Sequence, residues 1–128
     1  MAIDTFLVLN NAPGAEINFD VQTASNQHYN ATLTRNIVVN YRGSGSTTLA
    51  SLLNNQIWET RLLIINDSRT KFIVSGFKVD GVFHYPLWLN ATSPKTGTSS
   101  RLAEYLLRFY KDSNNTVQSL AQLILYAR

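Results

Sequence analysis

The stretch SSRLAEYLLRFYKDSNNTVQSLAQLILY, residues 99–126, decides the predicted fold class. Apolar residues recur in it at spacings i, i+3, i+4 and i+7, which is the pattern of one face of an α-helix. The polar segment 112–115 interrupts this pattern, and Ser99 or Ser100 is suited to cap the first helix. The sequence therefore predicts two C-terminal helices. Their apolar positions are Leu102, Tyr105, Leu106 and Phe109 in the first helix and Val117, Leu120, Ala121 and Ile124 in the second.

Upstream of the predicted helices, the N-terminal residues are typical of β-strands. Residues 16–22, EINFDVQ, alternate polar and apolar side chains, as a strand with one exposed face does. A shorter apolar run, residues 5–9, precedes them across a segment dense in turn-forming residues. The two runs predict an N-terminal β-hairpin within residues 1–24.

Residues 28–92 predict an antiparallel sheet. The dipeptide Asp80-Gly81 is a strong hairpin signal, and Pro86 indicates an edge, a bulge or a kink because proline donates no ladder hydrogen bond. Residues 47–53 fit either a short strand or one helical turn, and their periodicity does not decide between the two. The further strand candidates are residues 29–41, 57–65, 70–79 and 82–89.

The order of these elements predicts an α+β fold in one domain, residues 1–128. About seven strands come first, and two helices follow in residues 99–128. Helices this short are marginal alone, so they must dock an apolar face on a sheet, in the same chain or in a partner.

Composition excludes several functional classes. The chain has 128 residues, no cysteine, two histidines and a net charge of +3. Without cysteine it has no disulfide, no thiolate metal site and no cysteine nucleophile. We expect no cofactor, no metal and no membrane segment. Charged residues make up only 15% of the chain, against about 25% in ordinary soluble domains. This shortage suggests that much of the surface is hidden in an assembly.

Strand alternation places a polar, mildly cationic set of side chains on the outward face of the sheet. Such a face suits phosphates and unpaired bases, with Arg and Lys contacting phosphates and Asn and Ser contacting bases or ribose. The candidate RNA-binding residues are Asn40, Arg42, Arg61, Lys71, Ser75 and His84.

Other functions fit the same residues. A solvated sheet face is also polar. A small binding module would look similar, either a lectin with Trp58 or Trp88 stacking on the sugar ring or a cellular RNA-binding domain. A small ribonuclease would pair His28 with His84 as acid and base, with Lys71 or Lys78 stabilising the transition state. No motif fixes a third catalytic group, and we expect no enzyme.

The layout resembles the coat proteins of single-stranded RNA bacteriophages. The stretches most alike in character are TFLVLNN (residues 5–11), the turn at Pro13-Gly14, and residues 120–126. The resemblance implies a structural protein that forms interlocked dimers, assembles into an icosahedral shell and packages single-stranded RNA on the inner sheet face. It also implies location in the virion after assembly in the host cytoplasm, with no small-molecule substrate.

Overall fold

The computed structural model describes residues 5–65, 72–89 and 102–126, which form ten β-strands and one short helix. The first strands are β1 (Phe6–Leu9), β2 (Glu16–Asp20), β3 (Asn26–Thr32) and β4 (Ile37–Arg42). A helical turn, α1 (Leu49–Leu52), precedes the remaining strands. These are β5 (Trp58–Ile65), β6 (Val74–Val79), β7 (Val82–His84), β8 (Leu87–Trp88), β9 (Leu102–Lys111) and β10 (Val117–Tyr126).

The strands build two sheets between which the chain alternates. One sheet has six strands in the order β1-β3-β5-β9-β10-β8, and the other has four in the order β2-β4-β6-β7. Strands β1, β3 and β5 pair in parallel, as do β2, β4 and β6, so the first six strands wind as a coil around the core. Strands β9 and β10 then form an antiparallel hairpin that extends the six-stranded sheet.

The core lies between the two sheets and is rich in aromatic rings. Tyr41 on β4 is fully buried, and its ring centroid lies 4.9 Å from that of Phe109 on β9. Phe77 on β6 lies 6.2 Å from Tyr105, also on β9. Such tilted pairs add about 0.5–1.5 kcal/mol each beyond simple burial. Because each pair joins one sheet to the other, these contacts hold the two layers together.

The Asp80-Gly81 hairpin prediction is confirmed. Strands β6 and β7 pair antiparallel around these residues, which have φ angles of 51° and 83°. Positive φ at both positions is what a tight type I′ turn requires. The Asp80 carboxylate also accepts hydrogen bonds from the backbone N–H groups of Leu49 and Ala50, at 2.7 and 3.1 Å. The turn therefore also holds the start of α1. Of the two alternatives for residues 47–53, the structure contains the helical turn.

The prediction at Pro86 is also confirmed. This residue separates β7 from β8, and each of these short strands is an edge of its sheet. Here the chain leaves the four-stranded sheet and enters the six-stranded one, so the missing N–H of proline interrupts no ladder.

The two predicted C-terminal helices, and with them the α+β class, are wrong: the described residues of this region form the β9–β10 hairpin. Asp112–Asn115 is the hairpin turn, and Asn115 has a φ of 60°. The helical spacing arose because both faces of the strands carry apolar residues. Tyr105 and Phe109 point into the core, whereas Leu102 and Leu106 point outward. The possible caps Ser99 and Ser100 lie outside the described residues.

The N-terminal hairpin of residues 1–24 is also wrong. Strands β1 and β2 exist close to their predicted positions, but they lie in different sheets and do not pair with each other. The antiparallel sheet predicted for residues 28–92 is largely parallel instead. Alternation fixes which face of a strand is buried but not which strand it pairs with. The layout on which the coat-protein resemblance rested is therefore different in the structure.

Candidate functional site

The outward surface of the six-stranded sheet carries apolar side chains on both sides of a polar centre, and we call it the apolar face. Its side chains follow from the register, in which Val8, Leu63 and Ile124 lie in one row across the strands. Leu87 is 60% exposed and Leu120, its partner across the strands, 46%. The apolar members of the face are Phe6, Val8, Leu63, Ile65, Leu87, Leu102, Leu106, Leu120, Ile124 and Tyr126.

Four charged residues cross the centre of the apolar face, and they neutralise one another. Arg108 Nε lies 3.0 Å from Glu59 Oε2, and Arg61 lies 3.5 Å from the other oxygen of Glu59. Arg61 also lies 3.6 Å from Glu104 Oε1. Two acids and two bases thus form a connected network with no net charge.

Glu104 is the most buried member of this network, with 6% of its surface exposed. The Tyr126 hydroxyl donates a 2.7 Å hydrogen bond to Glu104 Oε2. This bond to the carboxylate raises the pKa of Tyr126 above its ordinary value, because ionising the phenol would remove the donor and add a second negative charge. One oxygen of this carboxylate is therefore hydrogen-bonded within the chain, and the other faces an arginine.

The outward surface of the four-stranded sheet has a different character, and we call it the polar face. Asn40 Nδ2 donates to Asn18 Oδ1 at 3.1 Å, and Asn40 Oδ1 accepts from the Gly81 N–H at 2.9 Å. Lys78 Nζ lies 2.7 Å from Glu16 and 4.9 Å from the centre of the Phe83 ring. The members of the polar face are Glu16, Asn18, Asp20, Val38, Asn40, Arg42, Lys78 and Phe83.

Of the predicted RNA-binding residues that the structure describes, Asn40 and Arg42 lie on the polar face. Asn40 is buried and has both ends of its amide bonded. The Arg42 guanidinium makes two contacts with the Asp20 carboxylate, and this partner raises the pKa of Arg42. Both side chains therefore already make polar contacts within the chain.

Arg61, Ser75 and His84, the other predicted residues that the structure describes, lie elsewhere. Arg61 belongs to the network on the opposite sheet, and Lys71 lies outside the described residues. Ser75 and His84 line one groove of about 600 Å³ beside the β7 edge, together with Phe83, Tyr85 and Trp88. The structure therefore divides the predicted set among separate places.

His84 has a structural partner in this groove. Its Nε2 lies 2.6 Å from Ser119 Oγ, a buried hydroxyl on β10, and partial burial lowers the pKa of the imidazole. His28, the other half of the ribonuclease hypothesis, lies on β3 in the opposite sheet, where its ring packs near Phe6. The two histidines therefore belong to different surfaces.

Charge in the described residues is balanced. The +3 surplus of the chain comes from residues outside the described ranges. The described bases are Arg35, Arg42, Arg61, Lys78, Arg108 and Lys111, and the described acids are Glu16, Asp20, Glu59, Asp80, Glu104 and Asp112.

Within residues 5–65, 72–89 and 102–126, no cluster of three His, Asp or Glu side chains is arranged to hold a metal ion. No helix in these ranges has the length and hydrophobicity to cross a membrane.

Sequence reasoning missed the apolar face. The available signal was the apolar residues on both faces of β9 and β10, which also produced the helical spacing. Comparisons with protein families, with curated proteins and with solved structures found no match for the chain.

Proposed function

We propose that this protein is a structural subunit that associates with copies of itself through the apolar face. The observation that carries the proposal is that exposed apolar side chains lie on both sides of the charged network, Phe6 and Val8 on β1 and Leu87 and Leu120 on β8 and β10, and that the described residues do not cover them. Exposed apolar patches on monomeric proteins rarely exceed a few hundred Å², and larger ones mark interaction sites.

The charges on this face favour a second copy as the partner. Covering an unpaired charge costs several kcal/mol, but the Glu59, Arg61, Glu104 and Arg108 network is already paired and neutral. The same face on another copy is equally apolar and equally neutral, so the two can meet without net repulsion. Burial of apolar area contributes about 25 cal/mol per Å², and a stable interface covers about 800 Å² on each partner.

A charge placed on the apolar face tests the proposal. We expect Leu120→Lys to weaken association at least about tenfold, because the interface would then bury an uncompensated ammonium next to Arg108. The measurement is the mass of the purified protein over a range of concentrations by light scattering or sedimentation.

Ile57→Lys is the matched control, because Ile57 is 69% exposed and lies outside both sheet faces. It should associate like the wild type. A wild-type chain that stays monomeric at every concentration, or a Leu120→Lys variant that associates as the wild type does, would contradict the proposal.

Assembly into a closed shell around single-stranded RNA remains a prediction. Its support is the charge surplus of +3, which is repeated in every subunit of an assembly. Electron microscopy of the purified chain and its absorbance ratio at 260 and 280 nm test both parts. In RNA-containing particles, Lys71→Glu should lower the RNA content and leave dimers intact. Arg61→Glu does not serve as this test, because Arg61 belongs to the charged network of the apolar face. Unchanged RNA content of Lys71→Glu would refute the assigned role of Lys71.

A sugar-binding module is a second candidate, favoured by the groove beside β7. Tyr85 is 85% exposed there, and Trp88 and Phe83 line the same groove as the hydroxyl of Ser75. Trp58 is less suited to stack on a sugar, because it is half-buried and its indole N–H donates to the Leu52 carbonyl. Titration with a panel of neutral oligosaccharides tests this function, which predicts saturable binding that Tyr85→Ala abolishes.

A further inference from the structure

Each sheet has two edge strands, and three of the four edges carry features that discourage pairing with another chain. Strands β7 and β8 have only three and two residues, and Pro86 lies between them. Strand β2 is longer, but it carries Glu16 and Asp20. Short length, proline and charge are the means by which natural sheets protect their edges.

Strand β1 is the fourth edge, and it is also short at four residues, but it carries neither charge nor proline. It reads Phe-Leu-Val-Leu over Phe6–Leu9, with no charge and no proline within the strand. Among the described residues it pairs on one side only, with β3, so the backbone groups of its other side have no strand partner there. Phe6 and Val8 are exposed on the apolar face, next to this open side.

We infer that β1 is a second self-association site, at which it pairs antiparallel with β1 of another copy. This inference rests on the proposed function and names a distinct contact within it. Antiparallel pairing of identical strands has two-fold symmetry, so the same contact is made from both copies. The uncharged strand brings no repulsion to that contact, and the pairing would satisfy the backbone groups of both edges.

Two different contacts give an assembly that one contact does not. A single two-fold interface closes at a dimer, because each copy uses its only binding surface. With the apolar face as one contact and the β1 edge as another, each dimer retains a free surface and larger particles follow. Blocking the apolar face alone should therefore leave dimers joined through β1.

Single cysteines test the inference directly, because the natural chain has none. Antiparallel pairing of two β1 strands places the two-fold axis perpendicular to the joined sheet. One residue of β1 then lies directly opposite the same residue of the other copy. We expect one of four variants, with cysteine at position 6, 7, 8 or 9, to form a disulfide-linked dimer under mild oxidation. Directly opposed strand residues have Cβ atoms about 4.5–5.5 Å apart, close to the distance that a disulfide needs.

The control is Asn18→Cys on the charged edge strand β2, which should remain monomeric on a non-reducing gel. The same β1 cysteine should still cross-link in the Leu120→Lys background. Association of the wild type without a cross-link at any β1 position overturns this inference and leaves the apolar-face proposal intact. A cross-link at β1 together with unchanged association of Leu120→Lys would contradict the apolar-face proposal and leave the β1 contact intact.

Discussion

The two outer sheet faces hold the same set of charges and differ in what surrounds them. Each carries two acidic and two basic side chains, and every one of them is in an ion pair. On the four-stranded sheet, Asn18 and Asn40 continue this polar character. On the six-stranded sheet, leucine, isoleucine, valine and aromatic side chains surround the network.

The comparison shows that the number of charges does not identify an interface. Because the charges are paired, both faces are neutral. The side chains around the ion pairs therefore decide whether burial of a face lowers the free energy. Burial of apolar side chains is favourable. Burial of an amide is favourable only if new hydrogen bonds replace those that the amide makes to water. We therefore expect the apolar face to be covered in solution and the polar face to stay free.

The largest effect is expected from opening the network on the apolar face. Glu104→Ala should lower the free energy of unfolding by about 1–3 kcal/mol, because the Tyr126 hydroxyl loses its acceptor and Arg61 keeps only Glu59. It should also weaken self-association, since the face gains a net positive charge. Denaturant titration measures the first effect and sedimentation the second.

Glu104→Gln is the matched variant, because its amide oxygen still accepts from Tyr126 while the charge is removed. It should retain most of the stability yet associate weakly like Glu104→Ala. Wild-type association of both variants would show that the neutrality of the face is unimportant.

A smaller effect is expected on the polar face, and on stability alone. Asn40→Leu should cost about 1–2 kcal/mol of unfolding free energy, because the Gly81 N–H and Asn18 Oδ1 lose their partner. Asn18→Leu should lower the unfolding free energy less than this. Asn18 is exposed, and its replacement leaves the Gly81 N–H bonded to Asn40. Neither change should alter the mass of the assembly by light scattering, and an altered mass would place the polar face in an interface.

The smallest effect concerns the β9–β10 turn, which belongs to neither face. N–H groups of Thr116, Gln118 and Asn114 donate to the Asp112 carboxylate and hold its pKa below the ordinary 3.8. The stability that it contributes is present above the ordinary value and is lost as pH falls through the lower folded-state pKa. Stability of Asp112→Asn should therefore depend less on pH below about 4 than that of the wild type.

Urea titrations of both chains at pH 3 and pH 6 measure this difference. Parallel pH dependences would show that the turn hydrogen bonds do not stabilise the charged carboxylate. Association at pH 6 should be the same for both chains, which separates an effect on the hairpin from an effect on either face.

The sequence predicted strands best where only one face of a strand is apolar. In β2, Ile17 and Phe19 point into the core, and their neighbours in the sequence are polar. The alternation therefore has the two-residue period of a strand and no helical period, which identifies the strand. The Asp80-Gly81 turn was equally predictable, because its backbone conformation favours these residues locally. Both features depend only on residues close together in the chain.

Strand pairing and the C-terminal hairpin were not predictable in this way. Parallel neighbours such as β3 and β5 are far apart in sequence, and alternation says nothing about which partner a strand takes. In β9 and β10, outward residues such as Leu106 and Leu120 complete a helical spacing with inward ones. The apolar outer face thus misled the assignment of secondary structure, and it is also the candidate interface.

The distribution of the candidate RNA-binding residues over the fold was not predictable for a related reason. Alternation correctly placed Arg42 and Arg61 on outward faces, but it did not show that the faces belong to different sheets. Nor did it show that Asp20 and Glu104 neutralise these arginines, because each ion pair joins neighbouring strands whose pairing was unknown.

The most direct test of the central claim compares the reactivity of one cysteine on each outer face. Leu120→Cys and Asn18→Cys each add a single thiol to a chain without cysteine. The account predicts that the thiol at position 120 reacts with a soluble maleimide at least about tenfold more slowly in concentrated, assembled protein than in dilute protein, while the thiol at position 18 reacts equally fast in both. Equal reactivity of position 120 in dilute and concentrated protein would contradict it.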